Sequence, residues 1–464
     1  EYEAKGKGRK TIKARDLWKK MVGMLFETGH PWICFKDPSN IRSPQDHAGV
    51  IHSSNLCTEI MLNTSEKETA VCNIGSINLA KFVKKNKSID RDLLQKVIRY
   101  SVRMIDNTVD INYYPTEDSK ASNMKHRPIG LGIRGYHDAM YGMGILFDTN
   151  EAVDFADESM ELISYYTILS SSELAREKGR YQSYEGSKWS RGILPQDTIE
   201  LLEKERNTVI DIPKGGKLDW TPVRNHIKEF GMRNSNTMAI APTASTANLV
   251  GCIPTVEPIY KNIYVKSNKE GEFIVVNKYL VEDLKKLNLW NRDMVNKIKF
   301  FDGSIQDIHE IPQEIKNKHK EVFDIDQKWL ILAAARRGKW IDQAQSINIF
   351  FKGTSGKDLS DIYMMAYDLG LKTTYYLRTL GASQVEKSTV NSSEFGSTHL
   401  RGGKASIVQS STAIHDIPSS FNQVPSAVPV SVAVPEVAQA LNIEKPKYVI
   451  YRPEQVEECE GCSA

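Results

Sequence analysis

No run of apolar residues in this chain is long enough to cross a bilayer. The most apolar stretch near the end, Val424 to Leu441, is interrupted by Pro425, Pro429 and Pro435. No signal peptide is expected from the opening, where Glu1 is followed at once by Lys5, Lys7, Arg9 and Lys10. That opening leads us to expect a fragment, a split gene product or a trimmed chain. Cysteine is scarce, with six in 464 residues, at 34, 57, 72, 252, 459 and 462. So few exclude a disulfide scaffold, point to a reducing cytoplasm, and suggest that any working cysteine acts as a thiol. Excess charge of either sign is lacking too. Lys+Arg total 61 and Asp+Glu 58, a net charge of +3, which gives no argument for a nucleic-acid coat or a membrane-surface role. There is no internal repeat.

What is present is an ordinary globular composition, 40% hydrophobic and 26% charged, long enough for several domains or one large barrel. Apolar spacing predicts a helix from Asp16, with Leu17, Met21, Met24 and Leu25 on one side and Gly29 at its end. A second helix follows Asp90, with Leu94, Val97, Ile98, Val102, Ile105 and Val109 in register. Further helices are expected from Asn150 to Lys178, from Asp324 towards Arg336, and from Leu359 to Leu369. Short strands are expected at Trp32 to Phe35, Ile129 to Ile133, Thr237 to Ala241 and Thr374 to Leu377. The alternation argues for an α/β fold with a mainly parallel sheet; periodicity does not separate an open sheet from a barrel. Beyond Lys387 Ser, Thr, Val, Pro and Gly dominate. We divide the chain into a catalytic portion, 1–386, and a flexible linker and tail, 387–464.

The densest chemistry lies in Ser54-Asn55-Leu56-Cys57-Thr58-Glu59-Ile60. An extended segment would turn Asn55, Cys57 and Glu59 to one side, gathering an amide, a thiol and a carboxylate. The plainer alternative is a buried structural cysteine beside a polar pair. Cys72, in Val71-Cys72-Asn73-Ile74-Gly75-Ser76, reads by itself as a buried cysteine at a strand end. Ala241-Pro242-Thr243-Ala244-Ser245-Thr246-Ala247 follows an expected strand and should open a helix, whose free N–H groups and small hydroxyls suit a phosphate. The alternative is an ordinary helix start. It is not a Walker loop, lacking the Gly-rich run and the Gly-Lys-Ser/Thr ending. Tyr375 and Tyr376 sit on an expected strand, where neighbours face opposite sides. Cys459 and Cys462 form a Cys-x-x-Cys that reads as a redox pair; zinc is the weaker reading, because no second ligand pair stands near.

Together with Asp110-Ile111-Asn112-Tyr113-Tyr114-Pro115, His126-Arg127-Pro128-Ile129-Gly130-Leu131-Gly132, Asp342-Gln343-Ala344-Gln345-Ser346-Ile347-Asn348 and Tyr375-Tyr376-Leu377-Arg378, these motifs resemble the large subunit of class I ribonucleotide reductases, in order and up to about Gly381. The resemblance implies part of a ten-stranded α/β barrel: its second half, with a central finger loop, followed by the tail. It implies reduction of ribonucleoside diphosphates by a thiyl radical on Cys57, with Glu59 as general base and Asn55 holding the ribose. Cys72 would be half of a reducing dithiol. Thr243, Ala244, Ser245 and Thr246 would bind the substrate diphosphate. Tyr375 and Tyr376 would relay an oxidising equivalent from a metal-containing small subunit, and Cys459 and Cys462 would re-reduce the site and be reduced by thioredoxin or glutaredoxin. No metal or cofactor is expected in this chain itself; nucleotide effectors and a homodimer belong to the intact family protein. Cys34 does not match the family's partner for Cys72. We therefore expect an N-terminal half-barrel to be missing, and no turnover without it and the small subunit. Two rivals stand beside this reading: a cobalamin-dependent reductase, which would not need the tyrosine pair, and a non-catalytic fragment that pairs with a reductase.

Overall fold

The computed structural model describes residues 4–7, 11–268 and 271–380. Among the described residues eight strands are present: β1 (Ile33–Cys34), β2 (Asn73–Asn78), β3 (Ile129–Arg134), β4 (Ile263–Asn268), β5 (Gly271–Val276), β6 (Ile349–Phe351), β7 (Thr373–Thr374) and β8 (Leu377–Thr379). They pair two by two. β2–β3 and β6–β8 are parallel; β1–β7 and β4–β5 are antiparallel.

The parallel pairs are joined through segments too short to be strands. Leu131 forms a parallel bridge with Met238, and Ile240 another with Gln345. Tyr375 N–H donates to Ile347 O, and Ile349 N–H to Tyr376 O. Five segments thus stand side by side in chain order: β2, β3, 236–240, 343–351 and 373–379. Parallel neighbours need long crossovers, and helices supply them. Arg91–Ile111 lies between the first two, Asn150–Lys178 between the second and third, Gln327–Gly338 before the fourth, and Gly356–Asp368 before the fifth.

These helices follow from local chemistry. Asp90 caps Arg91–Ile111 by accepting from Leu93 N–H, and Leu94, Ile98, Val102, Ile105 and Val109 form its buried stripe. Thr149 caps Asn150–Lys178 at Ala152 N–H, and Gly179 follows its end. This helix is buried on most sides, packed among Arg91–Ile111, Thr221–Phe230 and Gln327–Gly338. A hairpin, β4–β5, and two following helices carry a small separate core around Leu280, Leu284, Met294 and Ile298.

Three expectations are corrected. The first helix is Ala14–Thr28, with Gly29 at φ 71 after it, but Leu17 and Met24 are exposed and Val22 and Leu25 face inward. Apolar residues on several sides left its inner face ambiguous. Thr237 to Ala241 makes bridges rather than a strand, because Pro242 has no N–H and Thr243 turns at φ 53. The stretch Thr374 to Leu377 is split. β7 pairs with β1 and β8 with β6, so the chain changes partners across the two tyrosines.

Close strand packing depends on glycine in Ile129–Arg134. A Cβ on Gly132 would lie 2.4 Å from Ala239 O and 3.1 Å from Ile240 Cα, both backbone atoms. Gly132→Ala is expected to destabilise the chain by about 1–3 kcal/mol, through forced separation of β3 from 239–240. A denaturant midpoint equal to that of the parent chain would contradict this.

Candidate active site

The segment around Cys57 is a turn, not an extended strand. Thr58 N–H donates to Asn55 O at 3.1 Å, and Thr58 has φ 68. The side-by-side orientation expected from a two-residue period therefore does not apply. Among the described residues no strand forms a ladder with this loop, and part of its bonding is internal. Asn55 Oδ1 accepts from Ile60 N–H at 3.2 Å and from Ser54 Oγ at 3.3 Å. Leu56 at the tip is 58% exposed, while Glu59 is 3% exposed.

The turn still brings the expected groups together, by tethers from far along the chain. Ser346 Oγ donates to Cys57 O and lies 3.3 Å from Glu59 Oε2. Ala344 N–H donates to Glu59 O at 2.9 Å, and Thr373 Oγ1 to Thr58 O at 2.9 Å. Met61 N–H donates to Gln343 Oε1 at 3.1 Å. Cys72 stands at the entry to β2, with Gln343 Nε2 3.6 Å from its sulfur. Burial pushes the Cys72 thiol up to about 12, the charges of Glu59 and Asp342 add to this, and the Gln343 bond opposes it. At neutral pH Cys72 is thus a thiol. Cys34 packs beside Ile51, Met61 and Ala344, and burial raises its thiol too.

Tyr375 and Tyr376 occupy the gap between β7 and β8. Their rings lie 4.1 Å apart at 39°, against each other rather than on opposite faces as a strand would place them. The Tyr375 hydroxyl reaches Cys57 Sγ at 3.6 Å. Tyr376 meets the His30 ring edge-on at 4.7 Å and has the Arg378 guanidinium 5.0 Å from its ring centre. Burial raises the Tyr375 phenol above its ordinary value, and its bonds with Cys57 and Tyr376 raise it further. A continuous path Tyr376–Tyr375–Cys57 results, with Tyr375 a neutral phenol.

The helix expected after Pro242 is present, as Ala244–Val250. No side chain caps its start, and Ala244, Ser245 and Thr246 are exposed. Thr243 Oγ1 accepts from Thr255 N–H at 3.0 Å, and Thr246 Oγ1 lies 3.4 Å from Thr243 O. Thr243 therefore shapes the loop, leaving Ser245 and its first-turn neighbours exposed.

Sequence reading missed the groups that hold 341–346. Asp342 accepts from Thr237 N–H, Thr237 Oγ1 and Met238 N–H. Lys372 donates to the carbonyls of Ile341, Asp342 and Gln343, and burial lowers it well below the usual lysine range. Asp342 lies in a motif already noted for resemblance; Lys372 lies in none. Among the described residues no group of three or more His, Cys, Asp or Glu is arranged to hold a metal ion. Cys459, Cys462 and the linker lie outside the described residues.

Residues 1–377 match the family model of the ribonucleotide reductase barrel domain. Over 404 residues the chain is 50% identical to ribonucleoside-diphosphate reductase subunit alpha of Chlamydia pneumoniae, covering 85% of this chain and 38% of that protein. It is 39% identical over 403 residues to the ribonucleoside-diphosphate reductase large chain of Neurospora crassa, covering 86% of this chain and 42% of that protein. A solved structure, the Actinobacillus ureae class Id ribonucleotide reductase alpha subunit, superposes with a TM-score of 0.64 at 29% identity, over 79% of this chain and 61% of that one. The chain thus spans less than half the length of these two curated relatives.

Proposed function

This chain belongs to the ribonucleotide reductase family through its barrel domain, and on that premise we propose that it is the catalytic portion of a large subunit that reduces ribonucleoside diphosphates to deoxyribonucleoside diphosphates. One observation carries the reading: the Tyr375 hydroxyl touches the Cys57 sulfur, and Ser346 ties Cys57 to Glu59 in the same turn.

In this reading a Cys57 thiyl radical takes the 3′ hydrogen of the ribose. Glu59 accepts the 3′-hydroxyl proton. Asn55, whose amide oxygen braces the loop, offers its nitrogen to the sugar. The 2′-hydroxyl leaves as water, while Cys72 and a second thiol lose two electrons and become a disulfide. Cys57 regains its hydrogen at the end, so one turnover converts a ribonucleotide and two thiols into a deoxyribonucleotide, a disulfide and water. Tyr375 and Tyr376 carry the oxidising equivalent from a metal-containing small subunit. The helix start at Ala244–Val250, with Thr243 shaping it and Ala244, Ser245 and Thr246 in its first turn, takes the diphosphate. Cys459 and Cys462 exchange with the oxidised pair and are reduced by thioredoxin or glutaredoxin. The full ten-stranded barrel, the 1–386 and 387–464 division, the homodimer and the effector response are part of the same proposal. A non-catalytic fragment has no observation in its favour.

The test is reconstitution. The chain is combined with the N-terminal portion of the family protein, a radical-bearing small subunit, a dithiol and a ribonucleoside diphosphate. Chromatographic detection of deoxynucleotide is the expected result; its absence from a complex that has formed would sink the reading. In that assembly Ser245→Leu is expected to weaken substrate binding about tenfold, roughly 1.4 kcal/mol, with the melting temperature unchanged. Unaltered affinity would remove Ser245 from the site.

A further inference from the structure

The geometry points to Gln343 as a positioning residue that serves both sulfur-bearing segments: its amide anchors the Cys57 loop and gives Cys72 a hydrogen-bond donor. Its significance for turnover rests on the reductase reading above; the arrangement itself does not.

The orientation of the amide is decided by its neighbours. Met61 N–H can only donate, and it meets Gln343 Oε1 at 3.1 Å. Ile129 C=O can only accept, and it meets Gln343 Nε2 at 3.0 Å. The oxygen must face the loop, so the nitrogen must face β3. That leaves the second N–H to point at the Cys72 sulfur, 3.6 Å away. A flipped amide would oppose two donors on one side and two acceptors on the other. Gln343 itself is fully buried, its backbone N–H donates to Met238 O, and its backbone carbonyl is held by Lys372. The side chain therefore has little freedom to turn away.

A donor at sulfur has two consequences. The thiol hydrogen is directed away from Gln343, which narrows the directions in which Cys72 can deliver it. Negative charge on sulfur is also favoured, against the nearby carboxylates of Glu59 and Asp342. A residue that merely filled space would do neither.

The test uses the full chain and iodoacetamide, with Cys72 and Cys34 alkylation followed by peptide mass mapping across pH. In Gln343→Met the volume is kept and both N–H groups are lost. Cys72 is expected to react about three- to tenfold more slowly relative to Cys34, because a one-unit rise in thiol pKa cuts the thiolate fraction tenfold. Gln343→Glu keeps the length and the acceptor for Met61, so it serves if the Met variant does not fold. Its added charge should slow Cys72 at least as much. An unchanged or faster relative rate, or equal changes at Cys72 and Cys34, would overturn the assignment. The ratio needs no turnover, so its failure leaves the reductase reading standing, and an inactive reconstituted assembly leaves the ratio standing.

Discussion

Cys57→Ser is expected to abolish deoxynucleotide formation in the reconstituted assembly, by at least about a thousandfold, equivalent to about 4 kcal/mol of barrier. The reason is bond strength rather than fit. An S–H bond can be broken and remade against a ribose C–H, whereas an O–H bond is too strong to supply a radical under the same driving force. The loop should survive the change. Its tethers are the Cys57 and Thr58 carbonyls, Thr58 N–H, the Asn55 amide and the Glu59 backbone, none of which uses sulfur. The melting temperature and diphosphate affinity should therefore match those of the parent chain. Retention of a tenth of the activity would refute a thiyl mechanism at this position.

Tyr375→Phe should be nearly as severe, with turnover again falling by about a thousandfold or more. The variant keeps the ring against Tyr376 and removes only the hydroxyl that reaches Cys57. Burial leaves little room for water to replace that oxygen, since Tyr375 is 7% exposed. Loss of one long O–H···S contact should cost the fold no more than about 1 kcal/mol. Inactivity with an unchanged melt, and with substrate binding retained, is the expected signature of a broken relay. Normal turnover would show that the oxidising equivalent reaches Cys57 by another path.

Much of the frame was legible because its signals are local. The stripe from Leu94 to Val109 and the cap at Asp90 lie within one helix, and spacing alone reveals them. The helix after Pro242 was legible for the same reason. The first helix was less so, because Leu17 and Met24 are apolar yet outward. The tyrosine strand misled because strand propensity is silent about which neighbour each half will pair with.

The sequence by itself determined the chemical set, a thiol, a carboxylate, an amide, a second thiol and two phenols, and through its ordered motifs the family. Only the tertiary structure decided how they meet: in a tight turn rather than a strand, held by Ser346, Thr373 and Gln343, with Tyr375 brought against Cys57. The physical reason is distance along the chain. The Ser346 tether spans 289 positions, and a bond of that range leaves no periodic trace in the residues between.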